Sequence, residues 1–193
     1  MRPLVNIHTH HPTGEGIELC TAGIHPWEAE KCDIATLLPL AGRVQAIGEI
    51  GLDFHCSVAR EAQMACFEEQ LQVACEGGYP VVLHCVKAFE EVMKYLQKAT
   101  PRAVIFHGFI GSWQQAERAL QAGYYLSFGE RVFSSPKSME VARRIPLSRL
   151  FVESDERQTP IAEIYQRLAA LRGITVGELA EATLENYTKI FEK

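Results

Sequence analysis

Residues 80–107 read PVVLHCVKAFEEVMKYLQKATPRAVIFH, and they carry the pattern from which the rest of the chain is read. Pro80 to Leu83 is a short apolar, β-branched run followed by His84. Phe89 to Lys98 has helical spacing, and Ala103 to Phe106 is a second short apolar run, followed by His107. Runs this short suit buried strands, whereas the longer periodic segment between them suits a helix. The segment is therefore strand, helix, strand, and each strand leads into an imidazole.

The same unit recurs in both directions. Further strand candidates lie at Leu4 to Ile7, Cys20 to Ile24, Val44 to Ile47, Tyr124 to Phe128 and Leu150 to Val152. Helical spacing recurs at Glu61 to Cys75, Trp113 to Ala122, Met139 to Arg144 and Ile161 to Arg172. Ser112 before Trp113, Gly123 after Ala122, and Thr175 followed by Glu178 supply helix start and stop signals. Alternation of this kind predicts a parallel sheet with crossover helices.

Every strand but the sixth leads into a potential ligand, acid or base: His8 and His10, then His25, Glu49, His84, His107 and Asp155. A (β/α) barrel builds its active site in this way, at the carboxyl ends of its strands. A full barrel needs about 200 residues at the least, and this chain has 193. Thr9 to Leu19 leaves little room for a crossover with a helix. The expected fold is α/β, a TIM-like (β/α) barrel, reduced or distorted with about seven strands, in a single domain over residues 1–193.

No linker, repeat or low-complexity run interrupts the chain, and MRPLVNIHTHHPTGEG reads as neither a secretory signal nor a membrane span. Cys20, Cys32, Cys56, Cys66, Cys75 and Cys85 form no C-x-x-C pair, so free thiols in a cytoplasmic protein are expected. The net charge of -5 excludes the broad basic surface of a sequence-independent duplex binder. Cations must meet the charge of any phosphate substrate.

The imidazoles of His8 and His10 are two residues apart, so on an extended strand they share a face and can chelate one ion. Glu49 ends an apolar run between Gly48 and Gly51. Burying even a neutral polar group unpaired costs roughly 2–7 kcal/mol, which makes a cation the natural partner of that carboxylate. His84 and His107 follow two further apolar strands. Glu153 and Asp155 stand two apart after the last strand, so they repel unless a cation lies between or beside them. Asp155, nearer the mouth, suits ligand and general base, and Glu153, deeper, suits orienting an imidazole or Ser127. Four imidazoles and two carboxylates exceed the needs of one tetrahedral zinc and suit two ions bridged by a carboxylate. Zinc fits this set first, manganese and iron are tolerated, and magnesium matches so many nitrogens less well.

These residues resemble the TatD-type metal-dependent deoxyribonucleases within the amidohydrolase-like barrels. Asn6-Ile7-His8-Thr9-His10 resembles their D-x-H-x-H, Gly23 to Pro26 their G-x-H-P, and Gly48 to Asp53 their G-E-I-G-L-D. Leu83-His84, His107-Gly108-Phe109, Glu153-Ser154-Asp155, and Asn186 with Phe191 resemble the remaining motifs in order. The resemblance implies a TIM-like barrel and a two-metal site on His8, His10, Glu49, His84, His107 and Asp155. It further implies that Glu49 bridges the ions, that Asp155 activates water, and that His25 and Asp53 hold substrate or order the site. Three departures stand out: Asn6 replaces the usual Asp, a strand and helix are missing after His10, and Cys85-Val86-Lys87 lacks an Arg that often follows the strand-four His.

The expected activity is a 3′-5′ deoxyribonuclease acting on DNA ends, with no membrane and no obligate protein partner. An alternative is a hydrolase of small amides, lactones or phosphate esters, since metal-activated water serves all of them. A non-catalytic metal-binding protein is the third reading, against which the intact ligand set, Asp155 above all, stands.

Overall fold

The structure is a computed structural model and describes residues 2–192. Eight strands are found among them: β1 (Val5–Asn6), β2 (Ile17–Glu18), β3 (Thr21–Ala22), β4 (Ala46–Asp53), β5 (Val81–Val86), β6 (Val104–Phe106), β7 (Tyr125–Phe128) and β8 (Leu150–Val152). The α-helices are α1 (Ile34–Ala41), α2 (Arg60–Gly77), α3 (Phe89–Lys98), α4 (Trp113–Gln121), α5 (Pro136–Arg144), α6 (Ile161–Arg172) and α7 (Val176–Phe191). The chain folds as two compact units, Cys20–Phe106 and Met1–Leu19 with His107–Lys193.

In the Cys20–Phe106 unit, β3, β4, β5 and β6 lie side by side in that order, all parallel. All eight residues of β4 are buried, as expected of a parallel strand covered on both faces. Helix α2 buries Gln63, Cys66, Phe67, Gln70, Leu71 and Ala74, a stripe at helical spacing. It ends at Gly78, whose φ of 66° is the left-handed conformation that closes a helix without steric cost.

In the other unit β1 pairs with β2, β7 pairs with β8, and Ile7 N–H donates to the Val152 carbonyl at 3.0 Å, so the strands run β7, β8, β1, β2. All the pairings are parallel, as a TIM-like (β/α) fold requires. The connection from β1 to β2 has no helix. Glu18 organises it instead, accepting from the Thr13 N–H (2.9 Å), the Thr13 hydroxyl (3.0 Å) and the Gly14 N–H (2.9 Å). Burial raises the Glu18 pKa, but these three donors outweigh it and hold the carboxyl below its usual range.

Helices α6 and α7 anchor β1 and β8. The buried Tyr165 hydroxyl accepts from Val5 N–H (3.1 Å), donates to Val5 C=O (2.9 Å) and shares a 2.8 Å hydrogen bond with Thr183. Burial pushes this phenol up to about 12. Asn186 on α7 donates to the carbonyls of Leu147 (2.8 Å) and Leu150 (3.0 Å) and so fixes the entry to β8.

The α/β class and the strand–helix alternation are as the sequence leads one to expect, with three corrections. Among the described residues there are eight strands where about seven were expected, the additional one being Ile17–Glu18, and no helix lies between β1 and β2. Residues 26–41, assigned to no element from periodicity, form a 3-10 helix (Pro26–Lys31) and α1, started by His25 and Asp33 side chains that accept N–H groups of Trp27 and Ala35. Glu49 and His84 lie inside β4 and β5 rather than at their ends. The β4–β5 register shifts between Ile47 and Ile50, a bulge that re-aims Glu49. Beyond it, Gly51 (φ 140°) lets the β4 backbone lie against the His84 carbonyl, where a Cβ would collide.

The Tyr165 bonds make a stability prediction. Tyr165→Phe leaves the buried Val5 backbone without its partner, and an unsatisfied group of this kind costs about 1–3 kcal/mol. Thermal unfolding should shift down by about 2–4 °C per kcal/mol lost, and an unchanged melting temperature would show that water takes the place of the hydroxyl.

Candidate metal centre

Each unit contains one cluster of imidazole and carboxylate donors. In the Cys20–Phe106 unit, strands β3, β4 and β5 bring His25, Glu49 and His84 together. His84 Nδ1 lies 2.5 Å from Glu49 Oε1, and His25 Nε2 lies 3.4 Å from that oxygen and 3.3 Å from His84 Nδ1. One donor atom from each residue falls within 4.8 Å of the others. An ion held at about 2.0–2.2 Å from each ligand gives ligand separations of this order. His25, expected to hold substrate or order the site, stands among the candidate donor atoms.

Asp53, at the end of β4, backs this cluster. Its Oδ2 lies 3.4 Å from His84 Nε2 and accepts from the Trp27 indole N–H at 2.8 Å, and its Oδ1 accepts from His55 N–H (2.8 Å) and Cys56 N–H (3.2 Å). Burial raises the Asp53 pKa, yet the Trp27 and His55 donors and the His84 ring together hold it below the usual carboxylate range. Asp53 thus links the Trp27 indole, the His55–Cys56 turn and the His84 ring.

In the other unit, His8, His107 and Asp155 offer one donor each within 4.8 Å of one another. Asp155 Oδ1 lies 3.7 Å from His8 Nε2 and 3.6 Å from His10 Nε2, so both members of the H-x-H pair face it. Asp155 has φ 55°, a left-handed conformation that aspartate tolerates better than most residues. Two backbone hydrogen bonds hold it there, Asp155 N–H to His8 C=O (3.1 Å) and His10 N–H to Asp155 C=O (3.0 Å).

Glu153 is 1% exposed, and its Oε1 lies 3.5 Å from His107 Nδ1. Burial pushes its pKa up, but the His107 and His8 rings and the Ser127 hydroxyl beside it prevail and keep it below the usual range. Gly108 and Gly129 flank this carboxyl, and a Cβ on either would crowd the Glu153 side chain at 3.2–3.3 Å. A side chain at either position would push the Glu153 side chain by a few tenths of an ångström.

Three residues that contribute to the first cluster were not singled out in the sequence. Gln70 on α2 accepts from Ile24 N–H (2.6 Å) and donates to Ile24 C=O (3.0 Å), fixing the residue before His25. Gln63 accepts from Asp53 N–H (2.8 Å) and donates to its carbonyl (2.9 Å). Trp27 holds Asp53. The signal for the glutamines was available: they stand seven apart on the otherwise apolar stripe of α2, where an unpartnered amide would be costly. Trp27, in the 3-10 helix, gave no such signal, because its partner Asp53 lies on β4, distant in sequence.

The family model for TatD-related DNases matches residues 13–192 and runs through both units. The chain belongs to this family. Its TatD relatives include the uncharacterized metal-dependent hydrolases YabD of Bacillus subtilis, 32% identical over 88% of this chain and 75% of that protein, and YjjV of Escherichia coli, 32% identical over 88% and 74%. The 3′-5′ ssDNA/RNA exonuclease TatD of Erwinia tasmaniensis is 31% identical over 89% of this chain and 77% of that protein. The crystal structure of E. coli YjjV superposes with a TM-score of 0.80 at 28% identity, over 91% of this chain and 77% of that one. A TatD-family hydrolase of Entamoeba histolytica also reaches 0.80 at 17% identity, which shows the shared fold.

This TatD-family chain is therefore a metal-dependent hydrolase, and its two clusters have the mixed nitrogen and oxygen donors that a divalent ion takes. Chelation should destabilise it. An ion that binds only the native state adds about 2.7 kcal/mol at 100 times its Kd, or about 5–10 °C at this chain length. We expect the melting temperature to fall by that amount in excess EDTA and to return with zinc or manganese. An identical curve in both conditions, with no metal by elemental analysis, would remove the site assignment.

Proposed function

We propose that this chain is a 3′-5′ deoxyribonuclease, hydrolysing phosphodiester bonds at exposed DNA ends with two divalent ions, zinc first. The observation that carries the reading is the repetition of one donor set: two imidazoles and a carboxylate in each unit, His25, His84 and Glu49 in one and His8, His107 and Asp155 in the other. His10 joins the second set. Bound there, a divalent ion supplies a Lewis acid for the phosphoryl oxygen and lowers the pKa of water.

The residues around the ligands divide the remaining work. Asp155, with a side chain 16% exposed, takes the proton of the attacking water. Glu153, closed off from solvent, holds His107 through Nδ1 and leaves Nε2 for the ligand set. Asp53 does the same for His84 through Nε2, leaving Nδ1. The net charge of -5 supplies no broad basic groove, so the enzyme grips few phosphates, which suits ends rather than long duplex. The six free cysteines suit a reducing, cytoplasmic setting, and no helix among the described residues is long and apolar enough to cross a membrane. The helix-free connection after His10 favours a second reading, hydrolysis of small phosphate esters, because it leaves less protein to hold a polymer.

A 5′-labelled single-stranded oligonucleotide should shorten stepwise from its 3′ end; cleavage confined to small esters would replace the first reading with the second. Asp155→Asn keeps an oxygen donor but removes the base, so turnover should fall by at least about 10²- to 10⁴-fold while at least one metal stays bound. Glu153→Gln should keep measurable turnover with metal affinity about 10- to 100-fold weaker. Steady-state rates and metal stoichiometry on both variants decide the assignment, and an active Asp155→Asn enzyme would move the base elsewhere.

A further inference from the structure

Trp27 is an aromatic ring held rigidly and left open. It follows His25-Pro26, is 55% exposed, and its indole N–H is fixed by Asp53 Oδ2 at 2.8 Å. Its ring stands edge-on to His25, with centroids 4.8 Å apart at 87°, and 6.4 Å from His84. What sets this exposed ring apart is its tether, a buried carboxylate that holds it beside three metal-ligand candidates. A flat, pre-oriented ring of this kind is a stacking platform for a nucleobase, and any base serves because every base has a π-face.

The other oxygen of the same carboxylate organises a second element. Asp53 Oδ1 accepts from His55 N–H at 2.8 Å, and His55 Nδ1 lies 3.1 Å from Lys87 Nζ. Lys87 has φ 51°, a conformation rare for lysine. An ammonium only donates, so in this contact Nδ1 is the acceptor. Both residues are exposed, and the ammonium has further donors of the kind that contact phosphate.

We propose that Trp27 and the His55–Lys87 pair form one nucleotide subsite of single-stranded nucleic acid, Trp27 stacking on a base and the pair taking an adjacent phosphate, with Asp53 holding both arms. This rests on the nucleic-acid reading of the active site and adds to it a requirement for an unstacked base, which single strands and frayed ends provide and paired duplex does not.

The test is fluorescence anisotropy of metal-loaded protein with two labelled strands: an oligothymidylate with phosphorothioate linkages, which slow hydrolysis, and an abasic strand with the same linkages. Wild-type protein should bind the base-bearing strand about 5- to 100-fold more tightly. Trp27→Leu should bind both strands alike, whereas Trp27→Phe, which keeps a stacking face but loses the N–H to Asp53, should retain most of the difference. Lys87→Met should weaken both strands and lower the slope of log Kd against log salt by about 0.7, and Lys87→Arg should restore it. In a Trp113→Phe background the remaining Trp27 emission should change on adding the oligothymidylate. Equal wild-type affinity for the two strands, or Trp27→Phe behaving as Trp27→Leu, would overturn the stacking role and leave Trp27 a support for Asp53. An unchanged salt slope in Lys87→Met would remove the phosphate arm. Cleavage is scored separately: a strand bound as expected but not cut sinks the nuclease reading alone, and a strand cut without any preference for bases sinks this inference alone.

Discussion

Buried carboxylates in each unit impose the constraint around which the rest is built. Glu49 and Asp53 are 8% and 5% exposed in one, and Glu153 is 1% exposed two residues from Asp155 in the other. Isolated anions at such depth would take up protons rather than stay charged. Asp53 and Glu153 instead stay below their usual pKa, because imidazoles and N–H donors reach them from several elements. That arrangement pairs Asp53 with His84 and Glu153 with His107, and leaves Glu49 and Asp155 as the carboxylates proposed for the ions.

Holding charges this way requires a backbone that approaches closely and does not drift. Gly23, Gly48 and Gly51 line the β3–β4–β5 contact where Cβ atoms would meet neighbouring backbone or side chains. Gln63 and Gln70 then clamp the backbone of Asp53 and Ile24 with paired donor and acceptor bonds. A glutamine amide matches a peptide group in this way and a carboxylate or lysine does not. The precision of the His25–Glu49–His84 cluster thus depends on α2, which carries no proposed ligand itself.

The candidate donors stand out in the sequence because each interrupts an apolar run: an imidazole or carboxylate placed against Val81-Val82-Leu83 or Phe151-Val152 calls for a partner. The helices Phe89–Lys98 and Ile161–Arg172 were legible to the residue from their periodicity alone. What periodicity could not show was anything set by pairing between distant segments. Strand β2 is two residues long and exists because Leu4 and Asn6 carbonyls accept from Ile17 and Leu19. The length of β4 depends on glycines that lower strand propensity yet permit the close approach to β5. The 3-10 helix at Pro26–Lys31 begins on a histidine whose ring caps it, a start signal outside the usual Ser, Thr, Asp and Asn. His25 was noticed as a candidate, but its place among ligand atoms follows from that turn.

Asn6, which stands where the family pattern has Asp, shows how such a departure is absorbed. Its Oδ1 accepts from Ser154 N–H (3.0 Å) and its Nδ2 donates to the Ser154 hydroxyl (2.9 Å), which in turn donates to Thr9 (3.0 Å), itself accepting from His11 N–H (3.1 Å). These bonds link β1 through the Glu153–Asp155 segment to the H-x-H loop and converge on the Thr9 hydroxyl. An aspartate at position 6 has acceptors only. Ser154 would then turn its proton toward it and release Thr9, and a further negative charge would join Glu153 and Asp155. The amide keeps the strand-end geometry of His8 and His10 tied to that of Asp155 without adding to the charge that the bound cation must neutralise. The replacement therefore shifts the local charge balance of this unit while leaving its ligand positions intact.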